Sequence, residues 1–227
     1  YQADIILSYG AMNLIDEEDN IIGKANPKDL NIELDNNPIG SILDNLLIEN
    51  FIGEPTVLIK TEDLKAIGGY LQPEGMLAED YPTMLELSKR GKFKFINEIL
   101  ANYRFHGSQM TNLHIVDMKE KDKEFVLEFF GNLPKDLREN SKWTNSSLEF
   151  EWQEKLNRAH FSLGRRHAYI GKRDQAYLEF RTAMKQTSKI KLKLASFLGI
   201  ISVLSGNNIE WFSFFIRDAV PLNINSE

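Results

Sequence analysis

The chain has no cysteine among its 227 residues. That absence removes disulfides, thiolate-bound zinc, iron–sulfur clusters and thiol nucleophiles together. Histidine is scarce too: four copies are too few for a metal site built mainly on imidazole. Long apolar runs are missing as well. The longest, residues 192–204, is broken by Lys193, Ser196 and Ser202. It falls short of the ~20 apolar residues that a spanning helix needs. The first ten residues lack the basic and then apolar pattern of a secretory signal.

What is present is an ordinary globular composition, 42% hydrophobic and 26% charged, unlike that of a disordered chain. The net charge of −6 is unevenly spread. Residues 1–112 hold 9 Lys+Arg against 18 Asp+Glu, a balance of −9, and residues 113–227 hold 18 against 15, a balance of +3. This shift marks two compositional units, 1–112 and 113–227. Nucleic acid is excluded as a partner of the first, because phosphate contacts need clustered Lys and Arg.

The first unit reads as α/β. Ile5-Ile6-Leu7 predicts a buried strand ending at Gly10. The apolar runs Met12–Ile15 and Ile21–Gly23 flank the acidic stretch Asp16–Asn20 and predict a hairpin. Asn26–Asn37 reads as loop and Ser41–Asn50 as helix. Pro55–Ile59 reads as a strand with Pro at its edge, and Thr61–Ile67 as a helix with Thr61 as its N-cap, stopped by Gly68-Gly69. Asp80–Arg90 predicts a helix with Met84, Leu85 and Leu87 inward. Phe93–Ile96 and Ile99–Phe105 predict two further strands.

The second unit reads as all-helical, with helices over 116–130, 149–170, 173–185 and 191–204 and a polar linker over 140–147. Leu163-Gly164, Gly171, Ala176, Phe180 and Ala183 sit at tetratricopeptide-like spacing, with one helix pair over about 157–190. Their small residues allow two antiparallel helices to approach, with Phe180 filling the gap. Residues 160–193 carry nine Lys+Arg against Asp174 and Glu179, and Trp211–Phe215 follow after an apolar helix. This is either a solvated helix face beside core helices or an element that approaches an anionic membrane surface.

Chemistry concentrates in four motifs: Asn50-Phe51-Ile52-Gly53-Glu54-Pro55-Thr56, then Ile67-Gly68-Gly69-Tyr70, then Ala78-Glu79-Asp80-Tyr81, then Tyr103-Arg104-Phe105-His106. Glu79-Asp80 stands where a loop enters a helix, and first-turn amides stabilise an ionised carboxylate there. Such a group either caps the helix or takes a proton from a hydroxyl nucleophile. Arg104 and His106 alternate along a strand and so share a face. That face is either solvated or suited to a diphosphate. The Asp16–Asp19 run lacks the spaced ligands and Gly of a calcium loop and reads as a hairpin tip.

In order and spacing, this set resembles the acceptor-side half of inverting family 2 glycosyltransferases with the GT-A fold. The resemblance covers about residues 1–112. It implies the C-terminal part of a GT-A mixed sheet with flanking helices, followed by a helical tail. It further implies Asp80 as the base that deprotonates the acceptor hydroxyl and Glu79 as its support or an acceptor contact. Gly53, Pro55, Thr56 and Tyr81 line the acceptor site on this basis. Arg104 and His106 face the donor diphosphate, with His106 as a metal ligand. The implied partners are a nucleotide-sugar donor, a glycan or lipid-linked acceptor, and Mg²⁺ or Mn²⁺ in the complete enzyme.

The family's nucleotide-binding half and its metal-holding Asp-x-Asp have no counterpart here. The expectation is therefore part of a longer bacterial-type polysaccharide-building enzyme, or a degraded copy, inactive alone. The expected location is cytoplasmic, peripheral on the inner face of a membrane through the basic tail. A homodimer that re-pairs exposed sheet edges is also expected. The other function class is a non-catalytic module whose helical tail binds a protein or a membrane surface.

Overall fold

In the computed structural model, residues 4–27, 39–40, 42–76, 80–106 and 114–206 are described. The chain divides into two compact units, Tyr1–Gln109 with Phe125–Asn145, and Met110–Glu124 with Ser146–Glu227. The compositional boundary at residue 112 and this partition differ in two segments: 110–112 fall in the second unit and 125–145 in the first.

The first unit is built on β1 (Ile5–Ile15). This strand continues through Gly10, where the sequence predicts an end. It is central, so Ile6, Leu7, Tyr9, Ala11 and Ile15 are all buried. β2 (Ile21–Ala25) returns antiparallel, with Met12 opposite Ala25, and forms the predicted hairpin. After β3 (Ile39–Gly40) come α1 (Leu43–Leu46), a 3-10 turn over Glu54–Thr56, β4 (Leu58–Ile59) and α2 (Thr61–Ala66). α3 (Asp80–Ser88) and β5 (Lys92–Arg104) follow.

β5 lies parallel to β1, with Tyr9 opposite Phe95 and Ile15 opposite Arg104. β3 pairs antiparallel with β5, and β4 antiparallel with β1 at Leu7 and Ser8. The sheet is therefore mixed, and the first unit is α/β.

Several local predictions are corrected. The two strands expected over 93–105 are one continuous strand, which keeps its pairing with β1 through three register shifts, two of them between Gly10 and Ala11 and between Ala11 and Met12. The first of these two skips Asn97-Glu98, where the sequence shows a gap, and the second skips Leu100. Gly10 permits them: a Cβ there would come within 2.6 Å of the Leu100 side chain. Pro55 lies in the 3-10 turn and not in a strand, since its fixed φ suits a first helical position. Thr61 is inside α2 and Lys60 takes the N-cap place. The helix expected over 41–50 shrinks to α1.

Leu46, Leu47, Met84, Leu85 and Leu87 are fully buried in this unit. The Tyr81 hydroxyl donates to Leu46 O at 2.6 Å and so ties α3 to α1. Tyr9 lies edge-on to Phe51 at 6.0 Å and tilted against Phe95 at 5.4 Å. Burial pushes its phenol well above the ordinary range.

α4 (Ile115–Gly131) and α5 (Lys135–Asn140) follow. The second half of α4 carries buried Phe129 and Phe130, and the Lys89 ammonium sits 5.0 Å over the Phe129 ring. The expected linker over 140–147 is anchored to α1. Ser141 Oγ donates to Asp44 Oδ1 at 2.5 Å, Lys142 N to Asp44 Oδ2 at 3.1 Å and Trp143 Nε1 to Asp44 O at 2.8 Å.

The described part of the second unit, with the first half of α4, is all-helical: α6 (Asn145–Tyr169), α7 (Arg173–Gln186) and α8 (Ile190–Ser205). Gly171, at φ +77°, makes the turn between α6 and α7. Phe180 is the keystone of this unit. Its ring lies between Gly164 and Gly199, where an added Cβ would approach to 3.0 Å and 2.8 Å. Phe161 tilts against it at 5.5 Å. The small-residue spacing read from the sequence includes Gly164 but not Gly199, which closes the other side of the ring.

A buried carboxylate closes the α7–α8 turn. Glu154 accepts from Thr187 Oγ1 at 2.5 Å, Ser188 N at 2.7 Å and Ser188 Oγ at 2.8 Å. Burial alone raises its pKa, but these donors outweigh that and hold it below the ordinary glutamate value of 4.5.

Two measurements check this packing. Gly199→Ala is expected to lower the stability of the second unit by about 1–3 kcal/mol, read by urea unfolding, because the Phe180 ring has backbone-bearing helices on both sides. Glu154 has a depressed folded pKa, so its contribution is present above the ordinary glutamate pKa. It is lost as pH falls through the folded value. Glu154→Gln is expected to melt lower at neutral pH and to show a flatter loss of melting temperature between pH ~5 and ~3.

Candidate functional site

Asp80 is the first helical residue of α3, and its Oδ2 accepts from Asn50 Nδ2 at 2.8 Å. The nine-residue helix aims its first-turn amides at this end. Oδ1 accepts no bond from the described residues. Asn50 itself is partly buried, and its Oδ1 has no partner among the described residues. Its amide therefore serves chiefly to orient Asp80. Asn50 belongs to a motif read from the sequence, but nothing in a spacing of thirty residues reveals this pairing.

The segment that follows Asn50 runs along the carboxyl half of β1. Phe51 packs on Tyr9. Gly53 meets Met12, where a Cβ would come within 2.6 Å of the Met12 methyl. Thr56 accepts from Gly10 N at 3.1 Å and donates to Gly53 O at 2.7 Å. Gly53 and Phe51 line a cavity of about 140 Å³ with Gly10, Met12, Lys24 and Ala25. Lys24 places a cation on this wall that the sequence reading did not single out. The carboxyl side of parallel strands is where open α/β sheets bind ligands, yet 140 Å³ is smaller than the roughly 300–1,000 Å³ of a ligand pocket. A wider depression of about 870 Å³ lies at the other end of the sheet, by Ile5, Leu58 and Lys94, and touches none of the predicted site residues.

The remaining candidates are placed differently. Tyr81 and Thr56 are buried, with hydroxyls bonded inside the fold, so they shape the walls and do not present a group to a ligand. Pro55 is exposed in its turn. Glu79 lies outside the described residues, as does the aromatic run Trp211–Phe215.

Arg104 ends β5 and clamps the hairpin tip. Nη1 donates to Asp16 O at 2.7 Å and to Glu17 O at 3.2 Å, and Nη2 bonds Asp19 Oδ1 at 2.5 Å. Asp16 in turn accepts from Asn20 Nδ2 at 3.0 Å and from Asn20 N at 2.8 Å and Glu18 N at 3.0 Å. The Asn20 side-chain bond is the main reason its pKa is lowered, aided by the two backbone donors. Asp19 takes a left-handed φ of +69° to complete the turn. His106 stands beyond the strand, so the alternation expected to align it with Arg104 ends two residues earlier. Among the described residues no three His, Asp or Glu side chains gather to hold a metal ion, and no helix is long and apolar enough to cross a membrane.

Arg104→Ala is expected to speed amide exchange at Asn20 and Glu18 while costing only about 1 kcal/mol of global stability, because the clamp is solvent-exposed. Hydrogen exchange followed by mass spectrometry reads both. No family model matches this chain, and no curated protein matches its sequence. The functional reading therefore rests on its own residues.

Proposed function

We propose that the first unit is the acceptor-side part of an inverting sugar transferase of glycosyltransferase family 2, with the GT-A fold and Asp80 as its base. One observation carries this reading: a helix-start carboxylate oriented by Asn50, the residue from which the chain runs along the carboxyl half of β1. The order of the motifs around it supports the same assignment. The substrates are a nucleotide-sugar and a hydroxyl on a glycan or lipid-linked acceptor. The site of action is the inner face of a bacterial membrane.

In the reaction, Asp80 Oδ1 takes the proton of the acceptor hydroxyl as its oxygen attacks the anomeric carbon. The bond to the nucleoside diphosphate breaks on the opposite face, and configuration inverts. Such a base contributes roughly 10²–10⁴ in rate. Asn50 keeps the carboxylate aimed. Gly53 lets the Met12 side chain pack against its backbone, and Lys24 adds a positive wall to the cavity beside it. Arg104 can meet the diphosphate only by leaving the hairpin tip, so its first role is to hold that tip. The described residues do not form the ligand set for Mg²⁺ or Mn²⁺ that the family resemblance implies.

The whole gene product, assayed with a panel of nucleotide-sugars and Mg²⁺ or Mn²⁺, tests the reading. Asp80→Asn is expected to lower kcat at least about 100-fold with KM and circular dichroism unchanged. Transfer that survives this substitution removes Asp80 as base. The second reading, a non-catalytic module, draws on the exposed apolar face of α8. It gains if no nucleotide-sugar is turned over by the folded wild type.

A further inference from the structure

The helix α8 has two apolar faces. Leu192, Ala195, Ser196, Gly199, Ile200 and Val203 are buried on one side. The other side shows Ile190, Leu194, Phe197, Ile201 and Leu204, each 40–74% exposed. Their spacing is four, three, four, three, so they form one straight row and not a broad band. That narrow row is the pattern of a helix–helix seam. A helix lying in a lipid surface presents a wider apolar arc. Five such side chains in line make a patch on the order of 500 Å², the upper range for a monomer's surface.

The row is also symmetric. Phe197 stands seven residues from Ile190 and seven from Leu204. Turned end for end, the row superposes approximately on itself, which a two-fold interface requires. Charge selects the direction. The only charged residues of α8 are Lys191 and Lys193, both in its first turn, and no basic residue stands in its last. Cations at a helix start oppose the dipole. Parallel pairing would bring four lysines together. Antiparallel pairing separates the two lysine pairs to opposite ends of the seam.

We propose that α8 is a self-association surface, on which a second copy of this chain docks antiparallel with Phe197 at the two-fold axis. Two patches bury roughly 1,000 Å², at the threshold of a specific interface, so the dimer is weak and concentration-dependent. The inference is independent of what the first unit catalyses.

The absence of cysteine makes a direct test clean. In the full chain, Phe197→Cys is expected to form a disulfide-linked dimer on mild oxidation, because its symmetry mate is its nearest partner. Ile190→Cys is expected to fail alone and to cross-link when mixed with Leu204→Cys. Efficient cross-linking of Ile190→Cys alone, or no cross-linking of Phe197→Cys, overturns the antiparallel seam.

Sedimentation of wild type across the micromolar range is expected to show a monomer–dimer equilibrium. The double variant Leu194→Glu/Ile201→Glu is expected to raise the dissociation constant at least tenfold with melting temperature unchanged, since both side chains are already exposed. A dimer that persists in this variant places the contact elsewhere and overturns the proposal. So does a wild type that stays monomeric and pellets with phosphatidylglycerol vesicles in a manner lost in the double variant, which would make the row a lipid-binding face.

Discussion

Parallel strands cannot be joined by a tight turn: a chain leaving the end of one must travel back to the start of the other. The pairing of β1 with β5 imposes this on the first unit. Everything from the β1–β2 hairpin to α3 lies inside that crossover. The return places the Asn50–Thr56 segment along the carboxyl half of β1. It also starts α3 where Asp80 can meet Asn50. The bulges in β5 and the close approach of Leu100 to Gly10 are local adjustments that keep the long parallel register.

The second unit depends in the same way on one ring. Phe180 sits between Gly164 and Gly199, so three helices share a contact that admits no further methyl group. Glu154 closes the α7–α8 turn with three donors. With α7 and the Phe180 ring taking one side of α8, its opposite apolar row is left outward. A row kept apolar on the outside of a tightly packed unit is what gives the proposed self-association its physical basis.

Residues that look chemical in a motif divide once the fold is known. Thr56 and Tyr81 carry hydroxyls that complete backbone bonding. Arg104 has a guanidinium matched to the carbonyls and carboxylate of a hairpin tip. Asp80 alone among the described candidates combines a helix start with an orienting amide. The proposed transferase role therefore narrows to that carboxylate and the small cavity beside Gly53.

Much of the layout follows from local rules and was legible along the chain. The Asp16–Asn20 hairpin, the inward Met84, Leu85 and Leu87, the Gly68-Gly69 stop and the helices of the second unit all arise from periodicity and turn chemistry acting over a few residues. The Gly164 and Phe180 fit was legible too, because it is encoded at short spacing. Tertiary structure decided what local preference leaves open. It made one strand of 92–104, turned Pro55 into a 3-10 turn and drew 141–144 onto Asp44. It also joined Asn50 to Asp80 and left the row from Ile190 to Leu204 exposed. Each of these depends on groups brought together from far apart in the sequence, whose pairing is set by the crossover and by packing and not by any residue's own propensity.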